Sequence, residues 1–516
     1  MLPEAHRFVR GDATMSARLS RRLLLALGML LLLPSAMWAA APAAKVYVIL
    51  WFDTEDYILP ADDDAALHLA DFLTREGIRA TFKVVGEKAR ELERRKRDDV
   101  IAALKKHEIG YHSNWHSVQP SPALYLSTLG WDEGVAEFDR REGPGRDDVE
   151  RIFGRAPTCY GQPGSSWGPQ SYGAMKKWGM GVYLDSGRHV GLDGKPCYYD
   201  GILNLYQLDH RPRTALTGPK EEQLAEDHFT DDRKALLAEG GGIVSIYYHP
   251  CEFVHKEFWD GVNFRNGANP PREQWKRPAQ KSPEETKIAY DNFETWIRFM
   301  KRFPEVQFIT ASEAAKLYRD RARGRRFGSA ELKIIASAVG DEISFQKYKG
   351  YTLSASEVFV LLNEYVAERA AGRTPGALEV KETPFGPTSA SPAVADGTTT
   401  DWSQFGRTAA DVADFVRKQH RVPGTVWLGS KPVSPEAYLR ALALVALDLM
   451  DGKQPPETIE IKPTKLKAAD YVSDDDPKKL WGWVIFPPGF RAPAMMKLAK
   501  RQAWTLKPAV LDPNPE

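Results

Sequence analysis

The sequence predicts an α/β fold, a mainly parallel sheet or barrel with helices outside, followed by a mainly helical C-terminal domain. Three observations predict it. From residue 45 to about 318, short apolar runs alternate with amphipathic helical stretches. The chemically reactive side chains fall at the C-terminal ends of those runs, where parallel α/β folds place their sites. Beyond the basic, turn-rich run 319–326 the alternation stops and long helical patterns take over.

Residues 46–52 are continuously apolar and read as a strand. Residues 65–76 carry Ala66, Leu69, Phe72 and Leu73 at helical spacing. Residues 80–86 give a second strand, and residues 98–107 a helix with Val100, Ile101 and Leu104 inward. Later strands are expected at 181–184, 243–248 and 306–309, with a helix over 284–302 before the last. Residues 260–281, rich in Gly, Pro, Asn and Trp, read as a long loop near the site.

In the second half, residues 354–371, 408–419 and 434–449 read as helices and 376–400 as loop. Tyr351-Thr352-Leu353-Ser354 and Lys431-Pro432-Val433-Ser434 each lead into a helix, which suggests a repeated unit. The resulting division is an export signal over 1–44, a catalytic domain over 45–320 and a helical domain over 328–516. In the signal, Arg18, Arg21 and Arg22 precede an apolar run over 23–33 and an Ala-rich stretch over 36–44. The run is too short to span a bilayer comfortably, so cleavage, a periplasmic or extracellular location and no membrane span in the mature protein are expected.

Among the 516 residues, 70 basic groups balance 69 acidic ones, which argues against nucleic acid or an anionic membrane as the main partner. The 14 tryptophans and 19 tyrosines suit stacking on a neutral ligand as well as core packing. Cys159, Cys197 and Cys251 allow at most one disulfide and lack the CxxC spacing of a thiolate metal site. Cys251, close to His249, reads as a buried thiol rather than a nucleophile.

His112-Ser113-Asn114-Trp115-His116 puts two imidazoles four residues apart, a spacing that on a helical turn shares one face. The acidic cluster Asp53-Thr54-Glu55-Asp56 ends the first strand. Two ring nitrogens and one carboxylate oxygen would make a zinc site with an open position, the arrangement of a hydrolase. Beside it, Asp53 is the candidate base for water, and His249, ending a later strand, the candidate acid for the leaving group.

Phe52-Asp53-Thr54-Glu55-Asp56, Ala80-Thr81-Phe82, His107-Glu108-Ile109-Gly110, His112-Ser113 with His116, and Tyr248-His249-Pro250 follow one another along the chain. In this order they resemble the motifs of the polysaccharide deacetylase family of carbohydrate esterases, over about residues 45–318. The resemblance implies a distorted (β/α) barrel, Asp53 as base and a metal carboxylate at the next acidic position. Aspartate being the usual ligand favours Asp56, spacing favours Glu55, and both stay open.

It further implies a divalent metal, zinc by default with cobalt, nickel or iron also accepted, and an acetylated polysaccharide or cell-wall glycan as substrate. Trp167 and Tyr248 are expected to bind substrate, as Trp115 and Trp259 would by lining a sugar groove. The family's third motif carries an arginine that orients the base, yet the corresponding stretch, Tyr160-Gly161-Gln162-Pro163-Gly164-Ser165-Ser166-Trp167, has none. Gln162 is the expected substitute, hydrogen-bonding Asp53 without supplying charge. Asp185 matches the fourth motif and is expected to contact His249 or another site group.

Competing readings are a catalytically impaired carbohydrate-binding protein and a hydrolase of non-sugar amides on the same fold. In the second half, Ala409-Ala410-Asp411-Val412-Ala413-Asp414-Phe415-Val416, Arg421-Val422-Pro423 and Val433-Ser434 resemble pseudomurein-binding repeats, which would hold the enzyme on a wall or glycan surface.

Overall fold

The computed structural model describes residues 44–512; the export-signal expectation, resting on residues before 44, lies outside them. β1 (Val46–Thr54) is buried along all nine residues, as expected of a strand covered on both faces. On one side it pairs in parallel with β8 (Gly242–Tyr248) from Val46 to Phe52. Its other side is shared: Val46–Ile49 pair with β9 (Val306–Ile309), and Trp51–Thr54 with β2 (Thr81–Val84).

From β2 the parallel order continues through β3 (Glu108–Tyr111), β4 (Cys159–Tyr160), β5 (Val182–Leu184) and β7 (Ile202–Leu205). β6 (Cys197–Tyr199) is antiparallel to β7, and a final short strand, Lys507–Pro508, is antiparallel to β6. The ten strands therefore make an open sheet, bounded by β8 and Lys507–Pro508, rather than a closed barrel.

Side chains alternate across this sheet, and the alternation sorts core from site. Val46, Val48, Leu50 and Phe52 face the helices, where Phe52 stacks on Phe82 at 4.7 Å and meets Phe293 edge-on. Each such buried ring contributes roughly 2–3 kcal/mol. Tyr47, Ile49 and Trp51 face the other way, and Asp53 continues that face. Trp51 stacks on its register partner Tyr247 at 4.7 Å.

A second core gathers residues between Ala322 and Ile461, with Trp504. Two similar units build it: a hairpin (Gln346–Tyr348 with Tyr351–Leu353) leads through Ser354 into helix Ala355–Ala370, and a second hairpin (Val426–Leu428 with Lys431–Val433) leads through Ser434 into helix Pro435–Met450. Both serines cap their helices by accepting a backbone N–H three residues on. Tyr438 donates to Asn363, which in turn donates to the Ala409 carbonyl, tying three helices together.

After this core the chain returns to the first. Leu480, Trp481, Phe486, Met495 and Leu498 pack there, so residues from about 466 onward belong spatially with the sheet. Buried Lys507 joins the halves, its ammonium 2.7 Å from both Asp320 and Glu357. Among the described residues no helix is long and apolar enough to cross a membrane.

Candidate metal centre and catalytic cleft

The outward alternation of β1 carries Asp53 and then Glu55 into a cleft of about 560 Å3 at the carboxyl ends of the strands. Glu55 Oε2 lies 2.8 Å from His116 Nε2 and 3.4 Å from His112 Nε2. The geometry thus gathers Glu55, His112 and His116 as a ligand set. Asp56 turns away: its carboxylate accepts from the Ile58 N–H at 2.8 Å and sits 3.1 Å from His255 Nδ1, while its carbonyl accepts from Lys88. Of the two acidic positions left open, Glu55 and not Asp56 is the one that the geometry brings to the imidazoles.

The two imidazoles meet through a loop, not the expected helical turn. His112 follows β3 directly, and both Ser113 (φ 67°) and His116 (φ 54°) adopt left-handed backbone conformations. For residues other than glycine these are uncommon and cost on the order of 1–3 kcal/mol each. Surrounding bonds hold them: Glu142 accepts from the Asn114 N–H at 2.7 Å, Asn114 Nδ2 donates to the Arg141 carbonyl at 2.9 Å, and the His116 N–H donates to Ser113 Oγ at 3.1 Å.

This donor set fits a divalent ion. His112 Nδ1 is engaged by the Gly161 carbonyl at 3.1 Å and His116 Nδ1 by Ser117 Oγ at 2.7 Å, which aims both Nε2 atoms at Glu55. Both Nε2 atoms are buried, and what they approach is the single Glu55 carboxylate oxygen. Burial holds His112 well below the usual imidazole range and His116 down at about 4, so both rings are neutral and offer lone pairs. Glu55 is pushed well up, first by burial and then by Asp260, Asp53 and Asp56, a penalty that a bound cation would relieve.

A second close group, Asp53, His112 and Asp185, is already served by a cation of the chain itself. Lys83 Nζ, fully buried, lies 2.9 Å from Asp53 Oδ1 and 2.7 Å from Asp185 Oδ2. Although burial works against it, the Asp185 and Asp53 carboxylates hold this ammonium above the ordinary lysine range. The space it fills lies over Gly161, where an added Cβ would stand 2.0 Å from Nζ.

Lys83 is the positive partner of Asp53 that the stretch 160–167 lacks. Gln162, expected to bond Asp53, instead donates to the Gly164 carbonyl and Asp185 and accepts from Tyr183 at 2.6 Å. Asp185, expected to contact His249 or another site group, pairs with Lys83.

His249 faces the same cleft, its Nε2 3.7 Å from Asp53 Oδ2 and 3.9 Å from Glu55 Oε2. Its Nδ1 is 2.5 Å from Glu252, which also pairs with Arg213. Burial lowers the ring to about 3.

Two residues expected to bind substrate do not reach the cleft. Tyr248 alternates to the helix side of β8, where its hydroxyl accepts from the Thr214 N–H and donates to the Thr214 carbonyl, both at 2.9 Å; Tyr247 faces the cleft instead. Trp167 is fully buried against His189 and Tyr172. Of the other two tryptophans, Trp115 lies under Arg90 at the surface and Trp259 is buried behind His116. Cys159, Cys197 and Cys251 are buried and unpaired, and burial raises the Cys251 thiol well above its usual value, the opposite of a nucleophile's requirement.

Besides Lys83, sequence reasoning missed Asp260 and Trp483. Asp260 Oδ2 accepts from the Trp483 indole at 2.5 Å, and the Trp483 ring meets His116 edge-on at 5.2 Å.

No family model matches this chain, and no curated protein matches it. Solved structures do. A Mycobacterium smegmatis protein classed with the polysaccharide deacetylases is 15% identical at TM-score 0.35, covering 54% of this chain and 91% of its own. Puue allantoinase is 14% identical at TM-score 0.35, covering 53% and 90%. A variant of the peptidoglycan deacetylase PdaC from Bacillus subtilis is 17% identical at TM-score 0.27, covering 53% and 91%. At such scores the geometry of the cleft, not the likeness, carries the chemistry.

Proposed function

We propose that this chain is an exported, metal-dependent hydrolase that removes acetyl groups from a glycan, with zinc as the working ion. The observation that carries the reading is the convergence of Glu55, His112 and His116, with two buried Nε2 atoms aimed at one carboxylate, beside Asp53 and His249 in one cleft. A divalent ion held by those three side chains supplies Lewis-acid polarisation of an acyl oxygen and makes water a competent nucleophile near neutral pH.

Asp53 takes the proton of the attacking water, and Lys83, 2.9 Å away, fixes its carboxylate. His249 delivers a proton to the departing alcohol or amine. Because burial leaves its ring neutral at rest, it first accepts that proton on Nε2, with Asp53 Oδ2 3.7 Å away as a near source and Glu252 stabilising the cation through Nδ1. Either acid–base step is typically worth ~100- to 10,000-fold in rate.

Elemental analysis of the purified protein, together with acetate release from acetylated chitin, xylan and peptidoglycan fragments, tests this reading. One equivalent of divalent metal and acetate release that Asp53→Asn lowers by ~100-fold or more are expected. Bound metal with no release from any glycan would overturn the hydrolase reading in favour of carbohydrate binding, and release from small cyclic amides alone would favour a non-sugar amidase.

A further inference from the structure

The cleft wall beside His116 is shared between loops of the first half, among them Phe258 and Asp260, and residues 479–484, which follow the stretch from Ala322 to Ile461 that builds most of the second core. This segment is tied to three separate loops of the first half. The Trp483 N–H donates to Ser165 Oγ at 3.2 Å, the Asn266 and Gly267 N–H groups donate to the Val484 and Ile485 carbonyls at 2.8 and 3.0 Å, and Gln119 Nε2 donates to the Ile485 carbonyl at 3.3 Å. Ile485 is fully buried among Tyr57, Val85, Trp259 and Phe264. A strap so anchored is a fixed part of the cleft.

Within the strap, Trp483 is only partly buried and lines the cleft, its Nε1–H satisfied by Asp260. Gly164 passes directly over the indole, where an added Cβ would stand 2.2 Å from a ring atom. Phe258, 37% exposed, and Tyr247 line the same cleft. An indole held by its N–H, packed against Gly164 and lining a polar cleft suits a flat ligand that has both apolar C–H faces and hydroxyls.

We propose that Trp483 is the platform on which a pyranose ring of the glycan stacks, and that the strap 479–484 sets which glycan is accepted. The inference rests on the glycan-deacetylase reading and names the element of the site that selects its substrate. It also gives the second half a role in the site itself: that half delivers part of the cleft wall.

Binding measured apart from turnover tests it, using intact protein and two neutral probes, N-acetylated chitotetraose and acetylated xylotetraose, followed by calorimetry. At least one probe binds, and Trp483→Ala weakens it about tenfold, the loss of one well-placed ring contact. Trp483→Phe, which keeps a ring without the indole N–H, stays within about threefold of wild type. Trp427→Ala, altering an exposed tryptophan of the second core, leaves binding unchanged.

Where acetate is released, Trp483→Ala raises KM by a similar factor with kcat within about threefold. Binding by neither probe, or equal losses in Trp483→Ala and Trp483→Phe accompanied by loss of bound metal, would overturn the proposal, the latter assigning Trp483 to support of Asp260 and His116. Sensitivity to Trp427→Ala alone would place glycan binding on the second core and overturn it as well. Absence of acetate release in an enzyme that binds a probe through Trp483 would sink the hydrolase reading while sparing the platform.

Discussion

Lys83 and Asp53 are register partners on adjacent parallel strands, and the ammonium of one stands 2.9 Å from the carboxylate of the other. Asp185, just past the end of β5, closes the group at 2.7 Å, and the Trp51 ring lies 4.3 Å from the ammonium. Lys83→Met would leave two buried carboxylates facing each other without their cation. Removing one member of such a group typically costs about 3–5 kcal/mol. Urea unfolding is expected to show a loss of that size, and, if Asp53 is the base as proposed, kcat to fall by ~100-fold or more because its carboxylate loses its orientation. Bound metal should stay at the wild-type level, since Glu55, His112 and His116 are untouched; loss of the metal would contradict this division of labour.

Glu55 and Asp56 are neighbours with opposite duties. Glu55→Gln removes the carboxylate facing both Nε2 atoms, so the purified protein should carry little metal and respond to added zinc with no rise in Tm. Asp56→Asn should retain the metal but lose stability, by roughly 1–3 kcal/mol, because it replaces the buried carboxylate oxygen that faces His255 Nδ1 at 3.1 Å. Elemental analysis with thermal melts of the two variants checks this, and equal metal loss in both would contradict it.

That split between Glu55 and Asp56 follows the alternation of β1 continued past its end at Thr54, the spacing that pointed to Glu55. The same rule places Tyr247 in the cleft and Tyr248 in the core, so Tyr248 as a substrate residue was a parity error. The sheet, its order of apolar runs and the paired histidines were readable because each is a local pattern. Lys83 left a usable signal: a lysine inside the otherwise apolar strand Thr81–Val84, at the end where chemistry collects, needs a buried partner. The left-handed turn at Ser113 left none, because serine does not favour positive φ, and that at His116 left little, because histidine only tolerates it better than most residues; the surrounding hydrogen bonds fix both. Trp483 was beyond reach for another reason. Its contact with Ser165 spans 318 residues, and no local periodicity records such a pairing.

The return of the chain makes the first half dependent on the last residues. Trp481, Phe486, Met495, Met496 and Leu498 lie at most 5% exposed within the sheet's core, and Lys507–Pro508 cover the edge of β6. A chain ending at residue 320 would bare this apolar surface and an unpaired strand edge. Expressed alone, residues 45–320 should aggregate, whereas residues 45–512 should give a single cooperative melt. A soluble, cooperatively folded 45–320 fragment in size-exclusion and melting experiments would contradict the dependence.

His107 gives the fold a pH dependence independent of the metal ligands. Its Nδ1 accepts from the Ala80 N–H at 3.2 Å and its Nε2 donates to the Ala70 carbonyl at 2.8 Å, so the neutral ring is satisfied and a second proton would face an N–H. Burial accordingly lowers it to about 4, from an ordinary value of 6.5. In this window the unfolded chain binds the proton and the folded one does not. Stability contributed by the neutral ring is therefore complete above pH 6.5 and declines as pH falls toward 4, with no further loss below. Between pH 7.5 and pH 5.0 the loss from this one group is about 2 kcal/mol. His107→Gln, which keeps an acceptor and a donor but cannot ionise, should be less stable than wild type at pH 7.5 yet lose about 2 kcal/mol less between those two pH values. Urea unfolding of both proteins at each pH measures the difference, and parallel declines would show that the folded protein accommodates the charged ring.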